Sequence, residues 1–312
     1  MPTTGNPTEE LAHLAAALRR TVARKKSRFL PGKVAAQAPH PALSREEREN
    51  LCFPSPLGGL RPRGADEGLE PLPGKTVPPP PLPPAASQTP IPATFTDTPS
   101  LSNAERLARL REHIGDCKRC PLGASRIQLA FGVGNPDAKV LFIGEGPGYA
   151  EDRKGEPFVG PAGQLLDKIL AATGLSRHPV DPPWKWVYIA NMVKCHPMID
   201  PSDNTKRGND RPPTVEEMAV CSPFLMDQIR IIRPLFIVAL GNTAGKALLK
   251  TEEGISKFRG KWVDFTVEGL SAPIRFLPTY HPAALLRNPG LKKDVWEDMK
   301  NLKAALEAAV HP

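Results

Sequence analysis

The chain has 312 residues, 40% hydrophobic and 24% charged, with a formal net charge of +8. That is room for one domain of about 200 residues with further chain attached, and a mild positive charge permits a polyanionic partner. Five Cys are too sparse for a disulfide-built scaffold, no apolar run reaches the roughly 18 residues of a membrane span, and the N-terminus lacks the basic-then-apolar order of a secretory signal. The expected compartment is the reducing cytoplasm, with no membrane partner.

Residues 8–28 predict a basic amphipathic helix or arm. Thr8, Glu9 and Glu10 suit a helix start, Leu11, Leu14, Leu18 and Val22 share a face, and Arg24, Lys25, Lys26 and Arg28 crowd the end. It reads either as a solvated helix or as an arm for DNA or a partner. Residues 29–100 predict a disordered, Pro-rich tether of unknown partner: half of the 38 Pro fall in the first 100 residues, and 78-PPPPLPP-84 favours polyproline II.

From residue 101 to 312 the texture is that of a folded domain. Ser102 caps a helix expected over 103–116. Continuous apolar runs at 139–145, 186–194, 235–241 and 274–281 read as strands buried on both faces. Helical stretches at 161–173, 215–233, 242–250 and 291–309 alternate with them. This order predicts a parallel sheet covered on both sides, with working groups at the C-terminal strand ends.

The short motifs sit at those ends. Cys117 and Cys120 form a C-x2-C pair, Cys195 closes the second strand and Cys221 lies in the next helix. Four thiolates suit an iron–sulfur cluster or tetrahedral zinc, although buried free Cys would give the same residues. The run 144-GEGPGYAED-152 follows a strand. Its glycines allow close backbone approach to a ligand and Glu145 and Glu151 can handle charge, or the run is a tight turn with solvated acids. Phe158, between glycine turns, is either a minor-core anchor or a stacking platform, and the PAG turn after it opens a helix suited to a phosphate or base carbonyl. Asn191, near the end of an apolar strand, needs partners for its amide, either a nucleobase edge or a neighbouring loop. His281 follows the last strand, with Leu285, Leu286 and Arg287 behind it. These read as catalytic and duplex-contacting groups, or as a structural His and a packing turn.

Taken together and in this order, Cys117 and Cys120, 144-GEGPG-148 with 151-ED-152, 155-GEPFVGPAGQLLDK-168, 191-NMVKC-195, Cys221 and 281-HPAALLRNP-289 resemble the iron–sulfur type, family 4, of the uracil-DNA glycosylases. The resemblance covers residues 104–309. It implies a three-layer α/β/α fold with a short four-stranded parallel sheet, and a structural 4Fe–4S cluster on Cys117, Cys120, Cys195 and Cys221. It implies hydrolysis of the N-glycosidic bond of deoxyuridine in DNA by a monomer near the nucleoid. His281 would then donate to the departing uracil and Asn191 would read its edge. Phe158 would stack on the base, backbone amides around Gly146 and Gly148 would line the pocket, and Glu145 and Glu151 would stabilise the sugar cation or position water. Leu285, Leu286 and Arg287 would fill the duplex and grip its backbone.

Residues 199–214, with Lys206, Arg207 and Arg211, exceed the family's usual spacing and are expected to form a flexible basic loop near DNA. The alternative reading is a protein that traps uracil-DNA without turnover. It is disfavoured by the intact Cys set and by the absence of His from that loop.

Overall fold

A computed structural model describes residues 95–311. The expected helix 8–28 and the tether up to residue 94 lie outside the described residues. Residues 95–100, assigned to the tether, instead belong with the domain. Phe95 packs on the core and meets the His113 ring at a tilt, with centroids 5.9 Å apart. Asp97 accepts from Arg106 Nε at 2.7 Å, and that guanidinium holds its carboxyl below the usual range.

Helix α1 (Asn103–Ile114) begins where the sequence places it. Ser102 Oγ accepts the Glu105 N–H and Glu105 Oε2 accepts the Ser102 N–H, a reciprocal cap that satisfies two otherwise orphaned donors. It stops at Gly115, whose φ of 54° is costly for a residue with a Cβ. A short helix α2 (Leu122–Ser125) follows the C-x2-C pair. Then come β1 (Val133–Gly134), β2 (Val140–Gly144), α3 (Tyr149–Lys154), α4 (Pro161–Ala172), β3 (Tyr188–Asn191), α5 (Val215–Ile232), β4 (Phe236–Leu240) and α6 (Asn242–Leu249). The chain closes with α7 (Ile255–Phe258), β5 (Val263–Phe265), β6 (Ile274–Thr279), α8 (Pro282–Arg287) and α9 (Lys292–Val310).

The sheet order is β1-β3-β2-β4-β6-β5. The central four strands are parallel and are the four apolar runs of the sequence. The four-stranded expectation falls short by two edge strands, β1 and β5, which pair antiparallel. At two and three residues, and with no fully buried face, they leave no apolar run to read.

Alternation along the strands builds two cores. Leu141, Ile143, Ile237, Ala239 and Phe276 face α1, α5 and α6. Val140, Phe142, Phe236, Val238 and Leu277 face α4, α8 and α9. The result is the three-layer α/β/α arrangement expected, each fully buried aliphatic side chain contributing about 1.5–3 kcal/mol. All four parallel strands end on one side, at Gly144, Asn191, Leu240 and Thr279. No described helix is long and apolar enough to cross a membrane.

Candidate active site and cysteine nest

A cavity of about 760 Å³ opens over those strand ends, a volume ordinary for a small-molecule site. Glu145, Gly146, Gly148, Glu151, Phe158, His281 and Arg287 all line it, so residues scattered over more than 140 positions of sequence converge.

Asn191 ends β3 opposite Gly144 of β2. It is 1% exposed, and neither Nδ2 nor Oδ1 has a hydrogen-bond partner among the described residues. An unpaired buried amide costs roughly 1–3 kcal/mol, which a fold carries only where something else supplies the partner. Its neighbour is Phe158: a Cβ at Gly144 would lie 2.5 Å from Asn191 Oδ1 and closer still to the Phe158 ring. Glycine is thus required at 144 for ring and amide to meet.

Phe158 has φ 56°, a left-handed conformation costly for an aromatic residue. Gly163, in the first turn of α4, lets the Phe158 carbonyl sit where a Cβ would otherwise be. The strained turn aims the ring, 5% exposed, at the cavity wall.

His281 caps α8. Its Nδ1 accepts the Ala283 N–H at 3.1 Å, which leaves the ring proton on Nε2. Its ring packs against Phe158 at 5.4 Å, and Gly241 makes room for its Cβ. Burial, with Arg287 nearby, lowers its pKa to about 4. At neutral pH it is an uncharged N–H donor.

The two glutamates differ in kind. Glu151 Oε1 accepts the Val159 and Gly160 N–H groups, both at 2.8 Å, and Oε2 accepts the Gly148 N–H at 3.2 Å. Its carboxylate pins the GEGPG loop to the PFVG loop. It takes the two N–H groups just before α4, at Val159 and Gly160, while Pro161 and Ala162 of the PAG turn line the cavity. No donor among the described residues engages the Glu145 carboxylate, which faces the cavity. Gly146 backs onto Val193 and Pro197, and a Cβ there would come within 2.9 Å of Val193 Cγ2.

Leu285 is 2% exposed within the α4–α9 core, so it is a packing residue and leaves the duplex-filling set. Leu286 is 50% exposed and Arg287 is exposed beside it. Residues 199–214 are bound down, against the expectation of a free loop. Asn209 bridges Asp200 and Asp203, Arg211 pairs bidentately with Glu217, Arg153 donates to the Asn204 carbonyl, and Arg207 lies over Tyr149 at 5.2 Å. Asp210 accepts from His196 at 2.7 Å, a contact that holds its carboxyl below the usual range. Sequence reasoning missed this His. Its only signal is a titratable residue directly after Cys195 in a buried run.

Below the sheet, Cys117, Cys120, Cys195 and Cys221 line one small cavity with Ile114, Leu129, Lys194, Val220 and Phe224. Among the described residues no group of three or more His, Cys, Asp or Glu is arranged to hold a single metal ion. Two of the four sulfurs meet an arginine donor. Arg119 Nη1 lies 3.2 Å from Cys117 Sγ and Arg126 Nη1 3.4 Å from Cys195 Sγ. Yet burial pushes the Cys195 thiol up to about 12 and Cys221 up to about 11. Donors aimed at sulfurs that burial keeps neutral fit a nest whose thiolates need a cationic centre.

An α/β/α sheet with a cavity over its parallel strand ends and a four-thiol nest below defines a class, and the comparisons agree with it. The family model of the uracil DNA glycosylase superfamily matches residues 131–300. A type-4 uracil-DNA glycosylase of Thermotoga maritima is 38% identical over 206 residues, 65% of this chain and 96% of its own. One of Archaeoglobus fulgidus is 37% identical, covering 64% of this chain and 92% of its own. A type-5 uracil-DNA glycosylase of Pyrobaculum aerophilum matches less fully, at 32% identity over 50% of this chain and 66% of its own. The chain belongs to the uracil DNA glycosylase superfamily, in its type-4 branch.

Proposed function

We propose that this protein excises uracil from DNA by hydrolysing the N-glycosidic bond, leaving an abasic site for repair. The observation that carries the reading is Asn191: a fully buried amide, unpaired at both ends, beside an aromatic ring held in a strained turn. Uracil presents an acceptor, O4, next to a donor, N3–H, and an amide matches that pair. Cytosine reverses the pattern, so an amide held in the uracil orientation would set donor against donor and acceptor against acceptor.

The base must leave the stack to reach such a site, at a cost of a few kcal/mol. Leu286 fills the space left in the duplex and Arg287 holds the backbone. Phe158 stacks on the extruded base, worth roughly 1–3 kcal/mol. As the C1′–N1 bond breaks, its electron pair moves onto uracil and the sugar becomes cationic. The neutral His281 Nε2–H donates to uracil O2, where that charge gathers, so it binds the transition state better than the ground state. The unengaged Glu145 carboxylate stabilises the sugar and orients the water whose oxygen bonds to C1′. The water proton passes to the carboxylate and then to the uracil anion. Backbone around Gly146 and Gly148 closes the pocket, and Glu151 acts by fixing both loops.

The nest fits a 4Fe–4S cluster on Cys117, Cys120, Cys195 and Cys221. When bound, the cluster supplies a cross-link between the α1–α2 turn, the end of β3 and α5. We infer a monomer that acts near the nucleoid, where its DNA substrate lies.

The test is product analysis. An oligonucleotide with a single uracil is expected to yield free uracil and an alkali-labile site, while its cytosine counterpart stays whole. No free uracil under saturating enzyme would refute the reading.

A further inference from the structure

Lys194 is the chain's odd buried charge. It is 1% exposed and ranks among the largest fully buried side chains. Its Nζ donates to the Asn191 carbonyl at 2.8 Å and to Gln228 Oε1 at 2.6 Å. Neither acceptor is a carboxylate. A buried ammonium without a counter-charge is costly, and this one has none on the sheet side. What it does face is the cysteine cavity, which it lines together with Cys195 and Cys221.

One side chain therefore touches both functional halves of the molecule. Its backbone and stem belong to the thiolate nest. Its head holds the peptide of Asn191, whose unpaired amide lies beside Gly144 and Phe158. Gln228 completes the span: its Nε2 donates to the Phe131 carbonyl at 3.0 Å, fixing where the ammonium sits. Four thiolates around an iron–sulfur core carry net negative charge; Arg119 and Arg126 meet it at Cys117 and Cys195, and Lys194, lining the same cavity, is the cation whose head also holds β3.

We propose that Lys194 is a positioning residue that is at once the counter-ion of the cysteine-held group and the anchor of the base-reading end of β3, so that the loaded nest holds Asn191 in register for uracil. The inference rests on the glycosylase reading for its substrate half and on the nest alone for its charge half. The coupling is short: Asn191 and Cys195 are four residues apart and Lys194 spans them. A nest without its anionic group leaves the ammonium unpaired, and the Asn191 carbonyl loses a fixed partner.

The experiment uses the full-length holoprotein and two substitutions, Lys194→Met and Gln228→Met. Three quantities are read: iron per chain, the reduction potential of the cluster, and the inhibition constant for free uracil against cleavage of a single-stranded uracil oligonucleotide. Lys194→Met is expected to shift the potential to more negative values, because a nearby positive charge is gone. It is also expected to weaken uracil about tenfold, equal to about 1.4 kcal/mol, with KM rising more than kcat falls. Gln228→Met keeps the ammonium, so its potential stays at the wild-type value while uracil binding weakens by a smaller factor. A merely structural lysine would lower stability without moving the uracil constant of the folded, iron-loaded fraction.

Full iron with unchanged potential and unchanged uracil inhibition in Lys194→Met would overturn the proposal. Should Lys194→Met fail to retain iron, the counter-ion half is supported and Gln228→Met decides the other: an unchanged uracil constant there would overturn the anchoring role. Wild-type protein that releases no uracil would refute the glycosylase reading instead, and the potential shift would still decide the charge half.

Discussion

The state of His281 follows from two contacts. Its Nδ1 is spent on the Ala283 N–H and its ring is buried beside Phe158 and Arg287. The folded protein holds this imidazole neutral down to about pH 4, while an unfolded chain takes up the proton near 6.5. The unfolded state binds more protons between those values, so stability falls as the pH is lowered from about 6.5 to 4 and this contribution changes no further below that. Nitrogen-detected NMR at pH 5.5 should show a neutral ring protonated at Nε2, and a residue titrating near 6.5 would contradict the assignment. Asn191→Ala removes the edge-reading amide, and uracil release at low substrate should drop at least tenfold while the fold gains from losing an unpaired buried group. At this scale the sequence was informative where a residue type was out of place, such as Asn in an apolar strand. It was silent where the role lies in what a residue lacks: Gly144, Gly163 and Gly241 matter for the Cβ that is absent.

Between elements, Glu151 is the fastening. It joins the loop after β2 to the start of α4 through three backbone N–H groups, each a hydrogen bond to a charged acceptor. Glu151→Ala leaves those donors unpaired, and calorimetry should show destabilisation of about 3 kcal/mol, with Glu151→Gln retaining part of it. A catalytic base at this position would show the opposite pattern, with lost turnover and unchanged melting. The strands and long helices were readable because their apolar runs are continuous, and α1 because its cap is written as Ser102 and Glu105. The edge strands were not, and neither was the folded-down segment 199–214. Its anchors, Asn209 to Asp200 and Asp203, Arg211 to Glu217 and His196 to Asp210, are polar pairs with no periodicity.

The described domain is a sheet with a cavity over its parallel strand ends and four Cys gathered around a second, smaller one. Cys117 and Cys120 sit between α1 and α2, Cys195 beyond β3 and Cys221 in α5, so a bound cluster restrains three segments far apart in sequence. Removing iron with a chelator should lower the melting temperature and broaden the transition, more than substituting any exposed charged residue does. That four Cys would gather was legible in the sequence. That Lys194 would lie between them and Asn191 was not: the apolar run 186–194 places it at a buried strand end but does not say which groups its head would meet. The most direct measurement of the central claim is single-turnover cleavage of an end-labelled oligonucleotide carrying one uracil, by wild type and by His281→Ala, resolved on a denaturing gel after alkali. Breakage confined to the uracil, slowed about 10²–10³-fold by His281→Ala, is the expected result. An uncut strand, or a protein–DNA complex that survives denaturation, would contradict it.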